Sequence, residues 1–158
     1  MKEFTFPLES LRVLRKQKER AAQQRYARAL EGCRKAEIQL RNAAAELETG
    51  RSLLGREMAG GIAAGQLASL RNWCLVLEIR WRERQAILTE ARRVAGLLFR
   101  EMAAAARERE GLDRFHDKAR RAYEVQASRE EQKIFDEMAV QGDGIAGLSS
   151  LVGSHKVQ

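Results

Sequence analysis

A heptad seam between residues 26 and 54 constrains most strongly what this chain can fold into. Its small and apolar members recur at alternating steps of three and four without a slip: Tyr26, Ala29, Cys33, Ala36, Leu40, Ala43, Leu47, Gly50 and Leu54. Most positions between them are Arg, Lys, Glu, Gln or Ala, which is typical of a helix in a coiled coil. A stripe this narrow cannot bury itself, so it needs a second helix along it.

A second seam with the same spacing follows a glycine-rich break at residues 59–65. Gly60, Gly61 and Gly65 can take positive φ and reverse the chain there. The members of the second seam are Leu67, Leu70, Cys74, Leu77, Trp81, Arg84, Leu88, Ala91, Ala95, Leu98, Met102, Ala105, Arg109, Leu112, His116, Ala119 and Tyr123. The two seams predict that one arm folds back along the other.

The predicted fold is therefore all-α, an antiparallel two-helix coiled-coil hairpin over residues 1–140. It comprises a helix over about residues 8–58, a turn over residues 59–65 and a longer second helix over about residues 66–140. Four glycines, several serines and the loss of heptads predict a flexible Gly-rich C-terminal tail over residues 141–158. The first seam is ill-defined near its start, because Arg15 and Glu19 stand where apolar residues would continue it.

A reversal at Ile62 sets the expected register of the two arms. It pairs residues whose numbers sum to about 124, so the second arm continues past the end of the first. Cys74 then lies opposite roughly Gly50 and Cys33 opposite roughly Ala91, too far apart for a disulfide. Reduced thiols packed as small hydrophobes are typical of a cytoplasmic protein. No run approaches the roughly 18 apolar residues of a membrane span, and the N-terminus is interrupted by charges unlike a signal peptide.

The net charge of +7 favours an acidic partner, which leaves three classes open: a protein, a nucleic acid or an anionic membrane surface. The charges of both signs are interleaved along the arms, as on a solvated helix face. No RNP box, zinc finger or other nucleic-acid motif is present. We therefore expect no nucleic acid partner, although a basic coiled-coil binder or a simple spacer stays an alternative.

The sequence offers no catalytic, cofactor-binding or metal-binding constellation. His116 lies on or near the seam and His155 lies in the tail, and neither has a cluster of Cys or carboxylates at ligand spacing. The carboxylates of residues 130–137 lie on a helix without a pocket that would raise their pKa. We predict a protein without enzymatic activity.

An aromatic patch after the turn is the candidate partner-binding site. Leu77 and Trp81 fit the seam, whereas Trp73 is adjacent to a seam position and should lean outward. The facing arm is thin there because it carries Gly50 and Gly55. An exposed Trp beside Leu is typical of a protein-docking surface, and the alternative is that Trp73 only widens the seam.

Two aromatic side chains close to the N-terminus form a second candidate. Phe4 and Phe6 flank Thr5 just before Pro7, where a helix can begin. They either clamp the overhang of the second helix or serve as possible docking residues for a partner.

Four segments, taken in order, resemble the flagellar export protein FliJ family. They are Phe4-x-Phe6-x-Leu8-Glu9-x-Leu11-x-x-Leu14-Arg15; Cys33-x-x-Ala36-Glu37-x-Gln39-Leu40 with Met58-Ala59-x-Gly61-Ile62; Trp73-x-x-x-Leu77-Glu78; and Arg129-x-Glu131-Gln132-Lys133-x-x-Asp136-Glu137. The resemblance covers most of the chain up to about Ala139, and it rests on order and spacing.

The resemblance implies a stalk protein of the flagellar type III export apparatus, with no cofactor. Members of that family resemble the γ stalk of rotary ATP synthases, sit in the central hole of the export ATPase FliI hexamer and contact the cytoplasmic domain of the gate protein FlhA. They are also described as escorts of export chaperones. The implied location is cytoplasmic, peripheral to the inner membrane at the flagellar base. Injectisome stalk proteins are a close alternative.

The family's gate-binding residues map onto this sequence position by position. Its aromatic–leucine pair corresponds to Trp73 and Leu77, with Trp in place of the family's Phe. On the first arm the gate-facing positions correspond to Gln39, Ala43, Glu46 and Gly50, of which Gln39 keeps its character. The resemblance thus implies an export-gate site at Trp73, Leu77 and Gln39.

Overall fold

The chain forms two long helices in the computed structural model. The structure describes the backbone of residues 3–152 and the side chains of residues 3–140. Helix α1 spans Glu9–Gly60 (52 residues) and helix α2 spans Ala64–Val152 (89 residues), and the described part of the chain contains no strand. The all-α prediction with a longer second helix is confirmed. The tail predicted for residues 141–158 lies outside the residues whose side chains are described.

The reversal between the helices takes only three residues, fewer than the seven expected. Gly61 has φ of 78°, a left-handed conformation that favours glycine because other L-residues are strained there. α2 begins at Ala64, and the amide of Leu67 donates to the carbonyl of Ala63 at 3.0 Å. Gly60 and Gly65 are accommodated inside the helices, which is why the break is shorter than the glycine-rich run.

The helices contribute to two compact units, which we describe separately. The hairpin unit is Val13–Arg109, and it contains most of α1, the reversal and the first half of α2. The terminal unit comprises the described parts of Met1–Arg12 and Glu110–Gln158.

The core of the hairpin unit is the predicted heptad seam. Every predicted seam residue from Tyr26 to Leu54 and from Leu67 to Arg109 is buried or half-buried. The buried members are mostly small: Ala22, Cys33, Ala36, Ala43, Leu47 and Gly50 on α1, and Leu77, Leu88, Ala95 and Ala105 on α2. Because many of the buried side chains, above all those of α1, are small, the two backbones can approach closely and few large apolar groups are needed.

The closest approach between the arms is at Gly50. A Cβ atom added there would lie 2.8 Å from Leu77 Cδ1 and 3.6 Å from Cys74 Sγ. Cys74 thus lies opposite Gly50, in the register expected from a reversal near Ile62. Both cysteines are free thiols.

At the far end of the hairpin unit the seam continues as ion pairs. Arg15 bonds to Glu108 and Glu19 bonds to Arg109 across the two helices, at the positions where apolar residues were missing from the sequence pattern. Lys18 Nζ also donates to Glu108 at 2.9 Å, and this hydrogen bond lowers the pKa of Glu108 below its ordinary value. The stability that Glu108 gives to the folded chain through these ion pairs is therefore present above about pH 4.5, and it is lost as the pH falls further.

In the terminal unit the N-terminal segment packs against α2 through aromatic rings. Phe6 is buried, and its ring centroid lies 5.0 Å from His116 and 5.8 Å from Phe115. Phe4 lies 5.8 Å from His116 and 5.4 Å from Tyr123. Arg12 Nε donates to Asp113 Oδ1 at 2.7 Å in the same unit. These contacts favour the clamp interpretation of the two Phe residues.

The close approach at Gly50 makes a testable difference between two glycines of α1. Gly55→Ala should raise the free energy of unfolding by about 1 kcal/mol, because alanine favours helix and nothing lies within 4 Å of the added methyl group. Gly50→Ala should give less than half that gain, since Leu77 must shift. Urea unfolding followed by circular dichroism measures both, and equal gains would contradict the close contact.

Removing the ring of Phe6 should release the N-terminal segment from α2. Phe6→Ala is expected to cost up to about 3 kcal/mol of local stability, because a buried aromatic ring is lost. Hydrogen exchange of the amides in the first turns of α1 should then become faster. Thr5→Ala, at an exposed position, is the matched control, and unchanged exchange in Phe6→Ala would exclude the clamp.

Candidate partner-binding surface

The described residues hold no cluster suited to chemistry. No three His, Cys, Asp or Glu side chains among them are placed to bind a metal ion. His116 packs between the rings of Phe4 and Phe6, with Asp117 Oδ1 3.2 Å from its Nδ1. Over the same range, neither helix contains a segment long and apolar enough to cross a membrane. The candidate site predicted from the sequence is a surface of the hairpin unit close to the reversal.

Trp73 is the most prominent aromatic side chain of the hairpin unit near the reversal. Its side chain is 49% exposed, in agreement with the outward orientation expected from its place beside the seam. Arg80 is two helical turns further along α2, and its guanidinium carbon lies 5.9 Å from the centroid of the Trp73 ring. Arg80 also forms an ion pair with Glu46 on α1, with 3.5 Å between Arg80 Nη1 and Glu46 Oε2. The indole is thus flanked by a cation while much of it stays open to solvent.

Trp73 stands between two shallow grooves that run between the helices. The groove on the side of the reversal is lined by Leu53, Glu57, Ile62, Gly65, Gln66, Ser69, Leu70 and Trp73. The other is lined by Ala45, Glu46, Thr49, Gly50, Leu53, Trp73, Leu77 and Arg80. Leu53, which is 37% exposed, lines both grooves together with Trp73. These two residues form an apolar platform that spans both helices.

Leu53 was missed in the sequence reasoning, although a signal for it exists. It immediately precedes the seam residue Leu54, as Trp73 immediately precedes the seam residue Cys74. A residue one position before a buried one lies about 100° around the helix, at the edge of the interface. Large apolar side chains at such edges on both arms would have indicated the platform.

Leu77 lies beneath this platform. It is only 2% exposed and packs on Gly50 of α1. Trp73 and Leu77 are one turn apart on α2, so the structure brings them together, with Trp73 at the surface and Leu77 in the seam. Leu77 can therefore affect a partner through the position of the two helices around it.

The remaining predicted residues of the hairpin unit lie outside these grooves. Gln39 is exposed, and its Oε1 accepts a hydrogen bond of 2.8 Å from Arg84 Nη1. Trp81 is half-buried and lines a different groove, with Leu40, Ala44 and Leu88 among its neighbours. Neither lines a groove with Trp73.

Comparison with known proteins gives a family match. A protein-family model described as "Flagellar FliJ protein" matches residues 4–142. No curated protein and no solved structure matches the chain.

The different burial of Trp73 and Leu77 predicts different effects of their removal. Leu77→Ala should lower the free energy of unfolding by about 2–4 kcal/mol, because it opens a cavity in the seam. Trp73→Ala should cost about 1 kcal/mol or less, since half of its surface is already in water. Equal losses in urea unfolding would contradict the placement of Trp73 at the surface.

Proposed function

The chain belongs to the flagellar FliJ family, which implies a role in flagellar type III protein export, and from this premise we propose that it is a non-enzymatic stalk coupling the export ATPase FliI to the export gate protein FlhA. The observation that carries the proposal is the apolar platform of Trp73 and Leu53 on a two-helix hairpin. A pair of helices with an exposed aromatic anchor is suited to binding, and its described residues include no group of three or more His, Cys, Asp or Glu that could hold a metal ion.

We assign the contact with the cytoplasmic domain of FlhA to the platform. Trp73 supplies a large anchor that is already partly ordered by its contact with Arg80, so that little side-chain entropy is lost on binding. Leu77 supports the anchor from below by fixing the spacing of the helices at Gly50. Gln39 lies about 20 Å from Leu53 along α1. It contributes a polar contact to a partner that extends along this helix.

We assign the contact with the central hole of the FliI hexamer to the far part of α2 in the terminal unit. Ile134, Phe135 and Met138 are each more than half exposed there. They alternate with charged residues of both signs in the same helical segment. Exposed apolar residues rimmed by charges are typical of a surface that binds another protein. Phe4 and Phe6 hold the N-terminal segment on α2, and we give them this role instead of direct docking.

The distribution of charge supports a protein partner over a nucleic acid. Several basic side chains are engaged with acidic ones on the opposite helix, among them Arg25 with Glu101 and Arg92 with Glu37. Much of the positive charge is therefore balanced locally. We propose a cytoplasmic location, peripheral to the inner membrane at the flagellar base, and a role as an escort of export chaperones.

The gate contact can be tested with the purified cytoplasmic domain of FlhA. Trp73→Ala should weaken binding at least about tenfold, because truncation of an anchor costs about 2 kcal/mol. Leu75→Ala, which removes another exposed apolar side chain two residues away, is the matched control and should bind as the unaltered chain does. Isothermal titration calorimetry measures both, and unchanged affinity of Trp73→Ala would remove the platform from the mechanism.

The ATPase contact has its own test. Phe135→Asp should abolish co-purification with FliI while binding of the FlhA domain is kept, because position 135 lies in the terminal unit and the platform in the hairpin unit. Co-purification of Phe135→Asp at the level of the unaltered chain would exclude this assignment.

A further inference from the structure

A second heptad stripe runs along α2 within the hairpin unit, beside the buried seam. We call it the outer stripe, and its members are Trp73, Val76, Arg80, Glu83, Ile87, Glu90, Val94 and Leu97. The steps are again three and four. Each member immediately precedes a seam residue, so the outer stripe is the seam displaced by about 100° around the helix. It is therefore placed to contact a further helix, in addition to α1.

The apolar members of the outer stripe are exposed. Their side chains range from 37% exposed at Val94 to 49% at Trp73, with Val76, Ile87 and Leu97 between these values. The seam residues that follow some of them, Leu77, Leu88 and Ala95, are buried. Apolar residues with heptad spacing and this exposure are typical of a helix that lacks one of its partners.

The sequence of the outer stripe is complementary to itself when reversed. In an antiparallel coiled coil the two kinds of core position face each other in alternating layers. When two antiparallel copies of the stripe are aligned at their midpoints, Trp73 faces Leu97 and Val76 faces Val94. Arg80 faces Glu90, and the two-fold symmetry makes this attractive pair occur twice. The remaining layer joins Glu83 and Ile87.

A parallel arrangement in the same register does not have this property. It would place Arg80, Glu83 and Glu90 each against its own equivalent in the second copy, so that like charges would face one another in three layers. The charges therefore select the antiparallel direction. Their present partners are easily exchanged, because Arg80 with Glu46 and Glu90 with Arg93 are exposed ion pairs.

We propose that two copies of this chain associate through the outer stripe as an antiparallel pair related by a two-fold axis. The interface is small and the four central layers of its eight contain charged side chains, so self-association is weak, at roughly tens of micromolar. The pair covers Trp73, which gives a consequence that rests on the proposed function: the self-associated form is unable to offer the platform to the gate. Self-association and gate binding then exclude each other.

Charge reversal with rescue tests the proposal on the isolated chain. Arg80→Glu and Glu90→Arg should each raise the dimer dissociation constant about tenfold in sedimentation equilibrium, whereas the double variant should restore it. Within one copy the two positions are ten residues, about 15 Å, apart on a helix, so that a rescue must arise between copies. Arg82→Glu, at an exposed position off the stripe, is the control and should leave association unchanged.

Cysteine cross-linking tests the direction of the pair. In a Cys33→Ala/Cys74→Ala background, Val76→Cys together with Val94→Cys should form a disulfide-linked dimer under mild oxidation, because these two positions face each other across the antiparallel interface. Inside one copy they are about 27 Å apart and cannot be joined. Either single variant alone should stay monomeric under the same oxidation.

Three results would overturn the proposal: a monomer at all concentrations up to about 200 μM, single charge reversals without effect or without rescue, or efficient cross-linking of Val76→Cys alone. None of these measurements involves FlhA or FliI. Their failure would therefore leave the proposed stalk function untouched, and failure of the unaltered chain to bind the FlhA domain would leave the self-association untouched.

Discussion

The close approach of two helices along a seam of small residues is the constraint on which the hairpin unit depends. Ala22, Ala36, Ala43 and Gly50 give the α1 side little bulk, so the few larger residues of α2, such as Leu77, are buried against backbone. A thin core of this kind leaves no room for an enclosed site. Trp73 lies at the edge of this seam, where about half of it stays open to solvent.

Sequence periodicity predicted the core of the hairpin well, because a heptad is a direct record of which side of a helix is buried. Every predicted seam residue of that unit is shielded from solvent to some degree, and the register that places Cys74 against Gly50 was expected from the position of the reversal. The turn is shorter than expected. The sequence pattern treated every glycine of the run as part of the break, but a glycine can also lie inside a helix, as Gly60 and Gly65 do. Within the glycine-rich run at residues 59–65, Gly61 is the glycine with positive φ.

The remaining features depend on pairs of residues that periodicity does not identify. Arg15 and Glu19 seemed to interrupt the seam, yet they continue it through ion pairs with Glu108 and Arg109, because a charged side chain can fill a seam position when its opposite faces it. At the candidate site, Trp73 was placed correctly at the surface. Leu53 was missed, although its place immediately before the seam residue Leu54 is a signal for it. The structure adds that Leu53 and Trp73, from different arms, line the same grooves. The sequence also separated Leu77, which fits the seam and is buried, from Trp73, which is adjacent to a seam position and is exposed.

We propose that the gate is recognised by the platform formed jointly by α1 and α2, and a photoreactive amino acid at position 53 tests this most directly. Leu53 lies beside Trp73, whereas Leu30 is similarly exposed on the same helix but far from the reversal. Irradiation in the presence of the FlhA cytoplasmic domain is predicted to cross-link the variant at position 53 and not the one at position 30. Cross-linking from position 30 alone, or equally from both, would contradict the account.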